Sequence, residues 1–321
     1  MSTATVHSLR RQRLSPPDPS PFERLIGDYL QEQRAAGAAP KTIQVYGYAL
    51  ETVMLPAFRD AGVSEPSQLT NRHLNDLVIG LLDGTRSRSG RPLAKASVHS
   101  YTRAINAFLA WASAQGEAVT AKAQRPKPGK RVLDVLNRDE VRAMEDAASD
   151  ERDKLIVRVL ADTGIRLGEL LKLTAGDLLL EGRKNYLKIQ GKGDSQRKVP
   201  IQPALAARLS RYVQRTRKES RSSLIFLTSR RRPSTQEYEP LTDSGTQQMV
   251  RNLALQAGLT KRVYPHLFRH SFVTEQLRRG ISPILLAQIV GHTSLTMINE
   301  VYQHLNQDDA HDALMRSLLA D

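Results

Sequence analysis

Four places in this 321-residue chain hold side chains of one chemical character. Arg166 and Glu169 stand three apart, so on a helix they share a face. Lys192 sits in a Gly191-Lys192-Gly193 turn, and His266 and Arg269 follow Pro265. His292 comes directly after Gly291, and Tyr302 lies ten residues beyond it. Together they supply cations, hydrogen-bond donors and a phenol, with no thiol, because the chain has no cysteine. Such a set suits an anionic phosphate ester. Arg166 can fork onto a phosphate while Glu169 steadies it from behind. A lysine in a glycine-flanked turn can reach into a site and donate a proton. Each item alone has a plainer explanation. Ion pairs three apart on a surface helix are common and weak, and a turn lysine is usually just solvated. A histidine and a tyrosine around a turn also fit a helix-turn-helix whose tyrosine packs its own core. The ordered set is what carries weight.

A metal is disfavoured. His266 and His270 have the spacing of a zinc helix, but Leu267 stands where the metalloprotease glutamate would be, and no cysteine can complete the ligands. No cofactor is implied. The 47 Lys and Arg against 33 Asp and Glu leave a net charge of +14, which draws polyanions. Nucleic acid is favoured over an anionic membrane, because the basic residues are spread among helices rather than gathered on one amphipathic segment. No run approaches the roughly 18 apolar residues of a membrane span. Arg10, Arg11 and Arg13 precede prolines instead of an apolar stretch, so no signal peptide is read and a cytoplasmic protein is expected.

The elements that must position these groups fall into two domains. Residues 1–19 are polar and proline-rich, a disordered tail. Residues 20–116 form an all-helical unit. Ser20, Pro21 and Glu23 read as a capping box, and the apolar residues after Pro40, Thr70 and Lys95 recur at helical spacing. A basic loop at 84–92 joins the last two helices. Residues 117–136 are charged and proline-rich, an inter-domain linker whose cations suit a phosphate backbone. Asn137 and Glu140 open a second, catalytic domain over 137–321 with another capping box. There a helix through Leu155 and Leu160 stops at Gly164, and one from Arg166 is expected to run through Leu173. Residues 186–189 and 197–201 alternate with period two, a β-hairpin with Lys192 at its tip. The class is mainly α with a small β-sheet in the C-terminal domain. Candidate DNA contacts are Arg86 and Arg88 in the basic loop, Lys95 and Arg103 on the following helix, Lys127, Lys130 and Arg131 in the linker, and Arg208, Arg211 and Arg215 in a basic run.

The ordered set resembles the tyrosine recombinase (phage integrase) family. The matching pieces are Thr163-Gly-Ile-Arg166-Leu-Gly-Glu169-Leu, Gly191-Lys192-Gly193 with Val199-Pro200-Ile201, His266-Leu-Phe-Arg269-His-Ser-Phe-Val-Thr274, Val290-Gly-His292-Thr-Ser-Leu and Tyr302-Gln-His-Leu. They cover the family order of Arg, Lys, His-x-x-Arg, His and Tyr. The resemblance implies a helical, SAM-like core-binding domain and an α+β catalytic domain closing as a C-shaped clamp on DNA. It implies a metal- and ATP-independent enzyme in which Tyr302 is the nucleophile and Arg166, Arg269 and His292 stabilise the phosphate. His266 accepts or orients the tyrosine proton, Lys192 protonates the departing 5′ oxygen, and Glu169 supports. The product is a 3′-phosphotyrosyl link, and strands are exchanged through a Holliday junction. Implied partners are double-stranded DNA with inverted-repeat core sites and a homotetramer of this chain on DNA, monomeric when free. The C-terminal helix, with Ala313, Leu314, Leu318 and Leu319 on its apolar side, is expected to dock on a neighbouring protomer. Only about twenty residues precede the helical unit, too few for the extra arm-binding domain of many phage integrases, so a two-domain recombinase is expected. The His292 to Tyr302 spacing is one residue longer than the most compact family spacing, and Phe268 stands where leucine is common. Both lean away from an Xer-type enzyme. Type IB topoisomerase-like relaxation and a non-catalytic DNA-binding regulator are the alternatives.

Overall fold

A computed structural model of the chain describes residues 19–127, 134–182, 184–191, 195–217, 220–291 and Met315. Lys130, Arg131, Lys192, His292, Tyr302, the tail at 1–18 and the apolar positions 313, 314, 318 and 319 lie outside the described residues. The chain divides into two compact units, Met1–Arg131 and Val132–Asp321.

The first unit is helical: α1 Pro21–Ala35, α2 Pro40–Gly47, α3 Leu55–Asp60, α4 Asn71–Asp83 and α5 Lys95–Ala114. Ser20 caps α1 through the Glu23 N–H, and the Glu23 carboxylate answers to the Ser20 N–H at 2.7 Å. The one helix expected after Pro40 is broken by a wider π stretch, Tyr48–Met54, between α2 and α3. Pro56 gives the cause: it has no N–H to donate and its ring crowds the carbonyl four residues back, so the helix loosens just before it. The core gathers Phe22, Ile26, Leu50, Phe58, Leu74, Leu77, Ile105 and Phe108. Residues 117–127 are held on this unit. Val119, Ala121 and Ala123 enter its core, and Asn106 closes a two-way hydrogen bond with the Ala123 backbone at 2.8 and 2.9 Å. Their alternation with polar neighbours is an extended-strand pattern, short enough to be hidden by the prolines that follow.

In the second unit α6 (Arg138–Ala147) and α7 (Glu151–Thr163) lead to the one-turn α8 (Leu167–Leu170). An antiparallel sheet follows in the order β1 (Leu178–Glu181), β2 (Lys184–Gln190), β3 (Gln196–Ile201). Then come α9 (Pro203–Arg211), α10 (Asp243–Gln256), α11 (Pro265–Arg278) and α12 (Pro283–Val290). Leu155, Ile156, Val159 and Leu160 of α7 are all fully buried, so α7 is the post around which the rest packs. The hairpin pairs Leu187 with Val199 and Ile189 with Arg197. Two features differ from the sequence reading. The helix after Arg166 does not reach Leu173, because Thr174 and Asp177 form their own cap and the Leu173 carbonyl takes a hydrogen bond from Ile225 at 2.7 Å. Strand β1 was not expected, since Leu178-Leu179-Leu180 shows no alternation.

A buried carboxylate ties three helices together. Glu145 on α6 accepts from Arg158 of α7 and from Arg208 of α9 at 2.8 Å, and Arg208 also grips Glu151 at 2.5 Å. We expect Glu145→Ala to destabilise the protein by about 1–2 kcal/mol, since it takes one carboxylate partner from each of two part-buried guanidinium groups, leaving Arg158 with Asp162 and Arg208 with Glu151. A lower urea midpoint at unchanged slope checks it.

Candidate active site

The site is built on two left-handed helix ends. α7 stops at Gly164, φ 60°, where a Cβ would lie 2.5 Å from the Phe272 ring. α12 stops at Gly291, φ 69°, where a Cβ would lie 2.8 Å from the Arg197 guanidinium. Only glycine meets both the dihedral and the close approach.

Arg166 caps α8. Its N–H donates to Glu169 Oε2 at 2.8 Å and its Nη1 to Oε1 at 3.1 Å. Behind it, Arg197 of β3 grips the same carboxylate from the other side, Nη1 to Oε1 at 3.0 Å and Nη2 to Oε2 at 2.8 Å. Burial alone would raise the Glu169 carboxyl. The hydrogen bonds from Arg197 and the Arg166 N–H, with the charges of both arginines, hold it below the usual range. Arg166 keeps 44% of its side chain exposed, so one face of its fork stays open to an incoming anion.

The last three carbonyls of the α12 end each accept from a different arginine. Ile289 takes Arg197 Nε at 2.8 Å, Val290 takes Arg269 Nη2 at 2.7 Å, and Gly291 takes Arg166 Nη2 at 3.1 Å. These are the carbonyls a helix terminus leaves without partners, at its negative end. Arg269 is 1% exposed and also donates to the Gly164 carbonyl at 2.7 Å, so it pins both left-handed ends at once. Burial, and then the charge of Arg166, push its guanidinium down to about 9, with Arg197 adding to this and Glu169 opposing it. It therefore stays charged at neutral pH.

His266, in the first turn of α11, opens onto a cleft of about 210 Å3 that Arg166 and Arg269 also line. Its ring is reachable by solvent yet surrounded closely enough that burial, then Arg269 and Arg166, lower its pKa below 6.5. Of the six residues singled out for chemistry, the structure thus brings Arg166, His266 and Arg269 to one cleft, with Glu169 behind. Lys192, His292 and Tyr302 are outside the described residues, although Gly191 and Gly291, their immediate neighbours, are described. Asp243 and Gln247 of α10 and Tyr264 line the cleft as well, and nothing in their sequence spacing pointed there. Arg197 was missed too, but it left a signal. It alternates with the buried Val199 and Ile201 on one face of β3, and an arginine on a buried strand face has an internal partner.

The candidate DNA-contact residues divide. Arg88, Lys95, Arg103, Lys127, Arg211 and Arg215 are exposed. Arg86 reaches Asp60 at 3.1 Å, and Arg208 is occupied by Glu145 and Glu151 inside the protein, which raises its pKa further. Among the described residues no helix is long and apolar enough to cross a membrane, and no three His, Asp or Glu converge to hold a metal ion.

The mainly helical fold with its small antiparallel sheet agrees with what comparison with known proteins finds. The model of the phage integrase family matches residues 134–309, more than half of the chain, and the chain belongs to that family. Tyrosine recombinase XerD of Oceanobacillus iheyensis is 30% identical over 225 residues, spanning 68% of this chain and 73% of that protein. Tyrosine recombinase XerA of Saccharolobus solfataricus is 26% identical over 289 residues, spanning 88% and 89%. The fold matches that of the XerH site-specific recombinase bound to palindromic difH substrate in a post-cleavage complex, with a TM-score of 0.69 at 20% identity over 89% of this chain and 83% of that one. It also matches the Tn1549 transposon integrase in complex with transposon right end DNA, 0.68 at 19% identity over 91% and 98%. Xer recombinases stand among the similar proteins, so the lean away from that branch finds no support in them. Phe268, 1% exposed, is simply a core position.

Proposed function

We propose that this member of the family is a site-specific DNA recombinase that cleaves and rejoins DNA strands through Tyr302. The supporting observation is the one cleft lined by Arg166, His266 and Arg269, two arginines and a neutral base in the family's order, beside the helix end from which the chain runs to His292 and Tyr302. A phosphodiester repels nucleophiles by its charge, and more charge develops on its non-bridging oxygens as the nucleophile attacks. Arg166 and Arg269 supply donors already at the cleft for that charge, and His292 would add a third. The Tyr302 oxygen bonds to phosphorus and its proton passes to His266. The bond from phosphorus to the 5′ oxygen breaks, and Lys192 supplies that oxygen's proton. The 3′-phosphotyrosyl link stores the bond, so neither ATP nor a metal is needed, and a 5′-hydroxyl from another strand reverses the step. The DNA would carry inverted-repeat core sites. Four protomers, monomeric when free, would hold two duplexes through a Holliday junction, which a mass measurement of the DNA-bound protein tests. The place of action would be the cytoplasm. The reaction itself is tested by trapping the covalent adduct on duplex DNA from the ends of the encoding element, without metal or ATP, and denaturing in SDS.

The lowered pKa of His266 gives a second expectation. A neutral ring is the one that accepts a proton, and burial, then the charges of Arg269 and Arg166, favour the neutral ring over the charged one. Single-turnover cleavage should therefore lose its rate at a lower pH than an ordinary imidazole would set, as pH falls through the folded pKa. The same group makes stability fall with pH in that window. Below 6.5 the unfolded chain binds the proton more readily than the folded one. A rate that halves already at pH 7 would remove His266 from the role of base.

A further inference from the structure

We propose that Arg197 is a positioning residue for strand cleavage, the brace that sets Arg166 and the His292 end of α12 against one another. The inference rests on the recombinase reading above and names a residue which that reading does not use. Arg197 lies on β3 next to Gln196, the last residue paired in the hairpin whose two strands flank Gly191-Lys192-Gly193 in sequence. Its guanidinium makes three directed bonds to two separate elements. Two go to the Glu169 carboxylate and one goes to the Ile289 carbonyl. The first pair fixes the carboxylate that in turn holds the Arg166 guanidinium at 3.1 Å. The third holds the α12 end two residues before Gly291, whose carbonyl Arg166 also takes. The Gly291 backbone passes so close over the guanidinium that a Cβ would collide with it.

The loop is closed: Arg197 to Glu169, Glu169 to Arg166, Arg166 to Gly291, and Ile289 back to Arg197. A planar fork with five donors in fixed directions can close it, whereas a single ammonium on a flexible stem cannot reach a carboxylate and a carbonyl in those directions together. Arg197 is mostly buried beneath the cleft, at 15% exposure of its side chain, and does not line it. It would therefore act on the phosphate through Arg166 and the α12 end, not by touching the substrate. Without it, Glu169 loses its second arginine, and the Arg166 fork and the α12 end are no longer held in one frame.

The test uses Arg197→Lys and Arg197→Ala in the full chain, with duplex DNA carrying the cleavage site mapped from the wild-type covalent adduct. The lysine variant keeps a cation beside buried Glu169 and so guards against simple unfolding. Each variant is assayed for DNA affinity and for single-turnover cleavage on two duplexes. One carries the ordinary phosphodiester and the other an uncharged methylphosphonate at the scissile position. We expect affinity within about 2-fold of wild type and cleavage slowed by about 10- to 100-fold on the phosphodiester, the scale on which supporting partners of functional groups act. We expect the defect to shrink on the methylphosphonate, where less charge has to be stabilised. A merely structural loss would reduce both substrates alike. Cleavage by Arg197→Lys at the wild-type rate, or an equal defect on both duplexes, overturns the positioning role. A wild-type protein that makes no adduct at all overturns the recombinase reading beneath it, which is a separate and recognisable result.

Discussion

A Tyr302→Phe protein will bind its DNA and leave no covalent trace on it. The substitution removes one hydroxyl and keeps the ring, so its effect on packing is small, while its effect on the reaction is the loss of the nucleophile itself. A free phenol has a pKa of about 10 and is a weak nucleophile at neutral pH, which is why it needs a neutral base and an electropositive target. Phenylalanine retains that surrounding apparatus with nothing to activate. Loss of a nucleophile that acts as one unit with its base typically costs about 10^4-fold or more, below the detection limit of a gel. The measurement is end-labelled duplex DNA denatured in SDS after incubation with each protein. Wild type should shift label to the size of a protein–DNA adduct and the variant should not, while both shift the same duplex in a native gel. An adduct formed by Tyr302→Phe would mean that another residue attacks. Native-gel binding by wild type with no adduct on any tested end would favour a regulator that uses the fold without its chemistry.

The family could be read from the sequence because its signature depends on residue type and order, and those survive without any knowledge of distance. Arg166, His266 and Arg269 do line one cleft, although 103 residues separate Arg166 from Arg269. The helices were legible for a different reason. Helical periodicity and capping boxes are local, and Ser20 with Glu23 and Asn137 with Glu140 close as the spacing says. What escaped was set by long-range contact. Strand β1 has three leucines in a row and is a strand only because β2 offers it a ladder. The segment 117–127 looked like free linker because its small apolar residues, Ala121 and Ala123, carry little signal, yet the helical unit has room for them and Asn106 to bind them. Arg208 shows the limit of reading charge as surface. It stands in a basic run with Arg211 and Arg215, and only the fold brings Glu145 and Glu151 to it from 63 and 57 residues away. The three-carbonyl end of α12 is the clearest case. No spacing rule foretells that Arg197, Arg269 and Arg166 converge on residues 289–291.

Arg269 should be the least replaceable of those three. It is 1% exposed and joins the Gly164 and Val290 carbonyls, the ends of α7 and α12, so it is a structural clasp, and in the proposed reaction it would also donate to the phosphate. Arg269→Ala removes the clasp and leaves two buried carbonyls without this donor, which we expect to cost about 3–5 kcal/mol of stability. Arg269→Lys separates the two duties. A guanidinium that burial and neighbouring charge push down to about 9 is still charged at pH 7. A lysine begins lower, near 10.4, and the same burial beside Arg166 and Arg197 would carry it toward neutrality, where it no longer helps an anionic transition state. It also has one nitrogen for two carbonyls that lie in different directions. The expected result for Arg269→Lys is a smaller loss of stability, about 1–2 kcal/mol by urea titration, together with cleavage slowed by about 10^2- to 10^3-fold per folded molecule, the usual effect of deleting one preorganised donor. Stability and cleavage both at wild-type values would show that charge alone is needed at this position and that the fork geometry is incidental. A variant that melts low but cleaves at full rate when folded would make Arg269 a clasp only, leaving Arg166 and His292 to carry the phosphate.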